Sequence, residues 1–147
     1  MSRTTPLGTG PTAPVALAVL LGTAGAAHFA APGPFERIVP RALGRPGPWV
    51  AASGVAELAC AGALLAPGTR RWAGLASAVL FAAVYPANVT MAVQALRSER
   101  APGWYRAVAL ARLPLQLPLV AWGLRVASAA PRREPLLAAR PAAGGRA

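Results

Sequence analysis

Five polar side chains lie within long and otherwise apolar stretches of this sequence: His28, Glu57, Asn88, Arg112 and Gln116. Polar groups are costly inside a membrane and tend to mark buried contacts or binding sites. Glu57 and Arg112 carry the formal charges of the set, one of each sign, so the sequence predicts that they form a buried ion pair. Such a pair has two interpretations: it fixes the register of weakly hydrophobic helices, or it is the centre of a ligand pocket.

The remaining polar residues are expected to support this pair. Asn88, Gln116 or His28 would hydrogen-bond the two charges, and His28 is more typical of an interfacial hydrogen-bonding residue than of a ligand. Tyr85 shares a predicted helix face with Asn88 and completes the candidate polar core. Cys60 is expected to be a small packing residue, because a single cysteine forms no intramolecular disulfide.

Several chemistries have no motif in the sequence. There is no Cys-x-x-Cys for thiol-based quinone reduction, no paired histidine set for haem, no Glu-x-x-His di-iron pattern and no glycine-rich phosphate loop. We therefore predict no catalytic residue set, no metal site and no built-in cofactor. Contact with a quinone or a lipid remains open.

The composition is that of a membrane protein. Of the 147 residues 55% are hydrophobic and 13% are charged, and the mean hydropathy is +0.45. The net charge of +11 comes from arginine alone, with no lysine in the chain, and by itself it would indicate nucleic-acid binding. The arginines, however, separate long uncharged runs instead of clustering on one face, which is typical of membrane spans and their loops. We therefore expect a lipid bilayer and no nucleic acid as partner.

The uncharged runs position the polar residues. Each is long enough to cross a hydrocarbon core of about 30 Å as a helix. The sequence predicts an all-α, integral membrane four-helix bundle with helices at about 13–31, 49–66, 72–96 and 107–127, preceded by a tail at 1–12 and followed by a disordered tail at 128–147. Pro86 is expected to kink the third helix. Trp49, Trp72, Trp104 and Tyr105 fall at predicted span ends, where amphipathic rings prefer to lie.

Depth along the helices brings the polar residues together. His28, Glu57, Asn88 and Arg112 each fall about 5 to 12 Å from the same surface, the one that bears the loops at 32–48 and 97–106. Four helices are therefore expected to bring polar groups into one layer of the membrane.

Arginine counts predict the orientation. Eight arginines lie in the termini and in the turn at 67–71, against six on the other side. The excess favours cytoplasmic termini in the plasma (inner) membrane, which places the polar layer in the outer leaflet. An alternative interpretation of the first run is a signal peptide cleaved after Ala26.

The motifs HFAAPGPFERIVP, SGVAELACAGALL, PGTRRWAG, VYPANVTMAV and ARLPLQLPLVAW, in this order, resemble the DoxX-like family of small bacterial membrane proteins. The resemblance runs from about residue 23 to residue 127. It implies a four-helix membrane bundle whose recurrent polar positions correspond to the five polar residues above. It also implies an association with redox membrane complexes, although most members have no assigned activity.

Three function classes follow. The first is an accessory membrane subunit, quinone- or redox-associated, with a membrane redox complex or a second copy of the chain as partner. The second is a small solute or proton-linked transporter in which His28 and Glu57 change protonation. The third, an enzyme with Glu57 as general base, is disfavoured because a carboxylate held in an ion pair is a poor proton acceptor.

Overall fold

The computed structural model describes residues 12–130, and the predicted tails at 1–12 and 128–147 lie almost entirely outside this range. Within it every regular element is helical. The elements are α1 (Thr12–Ala30), α2 (Pro32–Glu36), a 3₁₀ turn (Arg41–Leu43), α3 (Pro46–Leu65), α4 (Arg70–Ala83), α5 (Tyr85–Arg97) and α6 (Gly103–Ala129). The last two residues of α6, 128 and 129, were expected to belong to the tail.

Four helical segments are long and apolar enough to cross a membrane: Thr12–Ala30, Pro46–Leu65, Arg70–Arg97 and Gly103–Ala129. The prediction of an all-α membrane bundle is confirmed. Trp49, Trp72 and Trp104 lie near helix ends and are each at least half exposed, as expected for rings at the membrane interface.

The third span is divided by a break at Val84, which separates α4 from α5. Pro86 lies in the first turn of α5, where its missing N–H and fixed φ are tolerated. The expected interruption near Pro86 is therefore present. In contrast, α6 continues through Pro114 and Pro118.

The bundle is built from two closely packed helix pairs. The helix α1 packs along α3, and α4 packs along α6, while α3 and α4 join the pairs and α5 lies against α6. Leu17, Leu21 and Leu64, all at most 2% exposed, form the centre of the apolar core.

Glycines allow each pair to approach closely. At the site crossing, formed by Gly25 of α1 and Gly54 of α3, a Cβ on Gly25 would lie 3.0 Å from the Gly54 carbonyl oxygen. At the remote crossing, formed by Gly74 of α4 and Gly123 of α6, a Cβ on Gly74 would lie 2.7 Å from the Gly123 carbonyl oxygen. Small residues at such positions let membrane helices pack backbone to backbone.

Candidate functional site in a central cavity

A central cavity of about 700 Å³ lies between the two helix pairs. It lies toward the end of the bundle that bears the loops at 32–48 and 97–106, which we call the loop end. Its wall is mostly apolar. All five polar residues singled out in the sequence line it: His28, Glu57, Asn88, Arg112 and Gln116. Four of the five are buried, and Arg112 is exposed. The predicted polar layer thus corresponds to one cavity.

His28 of α1 and Glu57 of α3 form the first polar group in this wall. His28 Nδ1 lies 2.8 Å from the Ala24 carbonyl oxygen and 3.2 Å from Glu57 Oε2. A carbonyl only accepts hydrogen bonds, so Nδ1 carries a hydrogen, which it directs to Ala24. Glu57 Oε2 consequently faces the ring without a hydrogen bond of its own, even though Glu57 is buried, with only 7% of the residue exposed.

Two further side chains position this pair. Ser53, one turn before Glu57, donates a hydrogen bond of 3.2 Å to Glu57 Oε1. Phe35 of α2 stacks on the His28 ring with a centroid separation of 3.9 Å. The spacing of Ser53 and Glu57 on one helix face was a signal for the first contact. Nothing in the sequence indicated the second, because Phe35 belongs to the segment between two spans.

The site crossing holds His28 against Glu57. Gly25 and Gly54 each lie one turn before one of these residues, on the same helix faces. A Cβ on Gly54 would lie 2.9 Å from His28 Cβ, and a Cβ on Gly25 would lie 3.1 Å from Glu57 Cβ. The missing side chains therefore create the space in which histidine and carboxylate approach.

The second polar group is a chain of hydrogen bonds across α5 and α6. Arg112 Nε donates to Asn88 Oδ1 at 3.0 Å, and Asn88 Nδ2 donates to Gln116 Oε1 at 2.9 Å. Gln116 Nε2 then donates to the backbone carbonyl of Phe81 at the end of α4. The chain uses both polar atoms of each amide. The Nη groups of Arg112 have no hydrogen-bond or ion-pair partner among residues 12–130.

The break at Val84 explains how this chain ends. The carbonyl that accepts the side-chain bond from Gln116 is that of Phe81, three residues before the break. Tyr85 and Asn88 both belong to α5, of which Tyr85 is the first residue. Tyr85 is 42% exposed and does not line the central cavity, so its inclusion in the polar core is wrong.

The predicted direct ion pair between Glu57 and Arg112 is also wrong. The carboxylate lies against His28 and the guanidinium bonds Asn88, and no contact within 4.0 Å joins the two in the described part of the chain. The physical reason is the packing order: α3 packs mainly against α1 and α4, whereas α6 packs mainly against α4 and α5, so α3 and α6 are not close neighbours. Both still line the same cavity.

Two other sequence predictions concern the cysteine and the possible metal-binding side chains. Cys60 is a buried free thiol in the apolar core, as expected for a packing residue. Among residues 12–130 no three His, Cys, Asp or Glu side chains are grouped so that they could hold a metal ion.

Comparison with known proteins gives a family but no activity. Residues 17–127 match the family described as "Domain of unknown function (DUF8561)". The chain belongs to this family. No curated protein and no solved structure matches it. The match covers α3 to α5 in full and most of α1 and α6, so every residue of the central cavity falls within the family's domain. The resemblance to the DoxX-like family stays a prediction.

Proposed function

We propose that this protein is an accessory membrane subunit that holds an amphiphilic, quinone-like molecule in its central cavity. The observation that carries the proposal is the arrangement of the two polar groups, with a histidine and carboxylate on the α1–α3 side and a guanidinium and amides on the α5–α6 side. The rest of the wall is mostly apolar. Pockets with this character, a few converging polar groups in an apolar lining, are typical of small-molecule sites.

The free hydrogen-bonding atoms match the two oxygens of a quinone ring. The Nη groups of Arg112 are donors and would bond one oxygen. Glu57 Oε2 lies on the other helix pair, and a carboxylate only accepts hydrogen bonds, so it would accept one from the second oxygen of the ring in the reduced form, where that oxygen is a quinol O–H. An apolar tail would lie along the leucine side chains of the wall.

The cavity also has a route from the lipid. Leu20, Trp49 and Leu115 line it and are 40%, 50% and 52% exposed, so its wall reaches the outer surface of the bundle. A lipid-soluble molecule would enter between helices without leaving the membrane.

Tryptophan fluorescence provides the test, because Trp49 lies in the cavity wall and quinones quench indole emission. We would titrate the full-length protein in detergent with a short-chain ubiquinone analogue. The proposal predicts saturable quenching that is weakened at least about tenfold in Arg112→Gln, which corresponds to one charged hydrogen bond, and unchanged in Arg125→Gln. Non-saturable quenching, or equal affinity in all three proteins, contradicts it.

A second candidate function rests on the buried Glu57 Oε2, which has no hydrogen bond and lies 3.2 Å from a histidine nitrogen. Such a pair can exchange a proton, as a proton-linked transporter of small solutes requires. Solute flux in liposomes that responds to a pH gradient and disappears in Glu57→Gln and His28→Gln would support transport. Flux that persists in both variants contradicts it.

The plasma membrane location and the orientation belong to the same proposal. We infer cytoplasmic termini from the excess of arginine on that side. Reporter fusions after Leu65, Arg100 and Ala147 test the orientation: signals on the same side after Leu65 and Ala147, with the opposite signal after Arg100, are expected. A membrane redox complex, or a second copy of the chain, is the partner class to seek by cross-linking in native membranes.

A further inference from the structure

A second cavity, of about 730 Å³, lies at the loop end of the bundle. We call it the cationic cleft, because three arginines line it, Arg37, Arg41 and Arg97, against one acidic residue, Glu36. It shares only Val39 with the lining of the central cavity. It is thus a separate site, nearer the membrane surface, and the proposed function does not use it.

The three guanidinium groups are available to a ligand. Each of the three arginines is exposed, and within residues 12–130 none has a carboxylate within 4.0 Å. Arg37 Nε donates to the Gly33 carbonyl at 3.2 Å, which fixes that side chain and leaves its Nη groups for other contacts. Glu36 Oε1 instead lies near the start of α3, 3.6 Å from where a Cβ on Gly47 would be.

The walls of the cleft are tied together. Gln94 Nε2 of α5 donates a 2.9 Å hydrogen bond to the backbone carbonyl of Arg37, at the end of α2. Arg97 lies three residues after Gln94, on the same side of α5. The contact therefore holds Arg37 and Arg97 on two walls of one cleft before any ligand arrives, and this lowers the entropic cost of binding.

We infer that the cationic cleft binds the phosphate of an anionic phospholipid in the leaflet at this end of the bundle. Guanidinium groups bind phosphate oxygens through paired, charge-assisted hydrogen bonds. The cleft also contains apolar side chains, Val39 and Val93, which a soluble phosphate would not use but the glycerol and first acyl carbons of a lipid would cover. Trp49 and Trp104, both at this end and exposed, lie at the depth expected of headgroups.

Native mass spectrometry of the full-length, delipidated protein tests this inference. Phosphatidylglycerol and phosphatidylcholine with identical acyl chains would be titrated separately. Phosphatidylglycerol is expected to bind more tightly, and Arg97→Gln should weaken it about fivefold, with about 25-fold for Arg41→Gln combined with Arg97→Gln. Arg125→Gln, which removes an exposed arginine at the opposite end of α6, should leave the affinity unchanged.

Three results would overturn the inference. Equal affinity for the two lipids, or equal losses in Arg97→Gln and Arg125→Gln, would mean that the cleft does not recognise the headgroup. A separate experiment titrates inorganic phosphate into the wild-type protein by calorimetry. If phosphate binds and displaces phosphatidylglycerol, the cleft is a site for a soluble anion and not for a lipid. Failure of quinone binding would not affect either outcome, because the two cavities are separate.

Discussion

The two glycine crossings both let helices pack closely, but the close packing serves a different purpose at each one. At the remote crossing, Gly74 and Gly123 bring α4 against α6 where the neighbours are the backbone and small side chains of α4 and α6. At the site crossing, Gly25 and Gly54 bring α1 against α3 one turn away from the polar pair of His28 and Glu57. Close approach therefore supplies stability in one place and the geometry of a polar contact in the other. Alanine substitutions at the two crossings should separate these roles.

Gly74→Ala is expected to have the largest effect on stability. Its new Cβ would lie 2.7 Å from both the Ala127 nitrogen and the Gly123 oxygen, and backbone atoms cannot move aside as a side chain can. We expect a loss of about 1 to 3 kcal/mol in unfolding free energy, the usual cost of overpacking. Unfolding by SDS in mixed micelles measures it. Gly62→Ala is the control, since a Cβ there meets nothing within 4 Å, and equal results for the two variants contradict the account.

Gln116→Leu should have the next largest effect. It leaves the Phe81 carbonyl and the Asn88 amide without their partners inside the bundle. We expect a loss of about 1 to 2 kcal/mol. Gln94→Leu is the matched control: its hydrogen bond is exposed, and its loss should cost less than about 0.5 kcal/mol. Similar losses in both variants would mean that the buried chain contributes no more than a surface contact.

Double-mutant cycles distinguish the observed polar contact from the one predicted from the sequence. His28→Gln and Glu57→Gln should be coupled by at least about 0.5 kcal/mol, because their side chains are in contact. Glu57→Gln and Arg112→Gln should be additive within about 0.5 kcal/mol, because no direct contact joins them. A larger coupling for the second pair than for the first would restore the Glu57–Arg112 ion pair.

Gly54→Ala should have the smallest effect on stability and a clear effect on the site. Two of the three nearest atoms to its Cβ belong to the ring of Phe29, which is half exposed and free to turn away, and the third is His28 Cβ at 2.9 Å, which must shift. The helix-forming advantage of alanine over glycine offsets part of the cost, so the net loss should stay below about 1 kcal/mol. Displacement of His28 should nevertheless weaken quinone-analogue quenching, whereas binding unaffected by Gly54→Ala would separate the crossing from the site.

The sequence predicts the elements and the depth of the polar residues, but not the partners. Uncharged runs set the four spans, and counting residues from the span ends brings His28, Glu57 and Asn88 to one layer. Which side chains meet depends on which helices are neighbours and how each is rotated, and neither follows from depth. The sequence therefore predicts a pair of Glu57 with Arg112 from their opposite charges. In the structure the Glu57 carboxylate instead lies against a histidine on α1.

Local backbone changes were the other source of error. Periodicity placed Tyr85 on the face of Asn88, but Tyr85 is the first residue of α5, directly after the break at Val84, and its side chain is 42% exposed. Phe35 could not be assigned to the site because its contact with His28 depends on the path of the segment between α1 and α3.

Mass spectrometry of the molecules that co-purify with the protein from native membranes in mild detergent tests the central claim most directly. The account predicts a bound quinone-class molecule in the wild-type protein. It should be absent from Ala56→Phe, whose ring would occupy the cavity, and retained in Ala59→Phe, which adds the same ring on the exposed face of α3. A wild-type protein that carries no such molecule, or an Ala56→Phe variant that carries as much as the control, would contradict it.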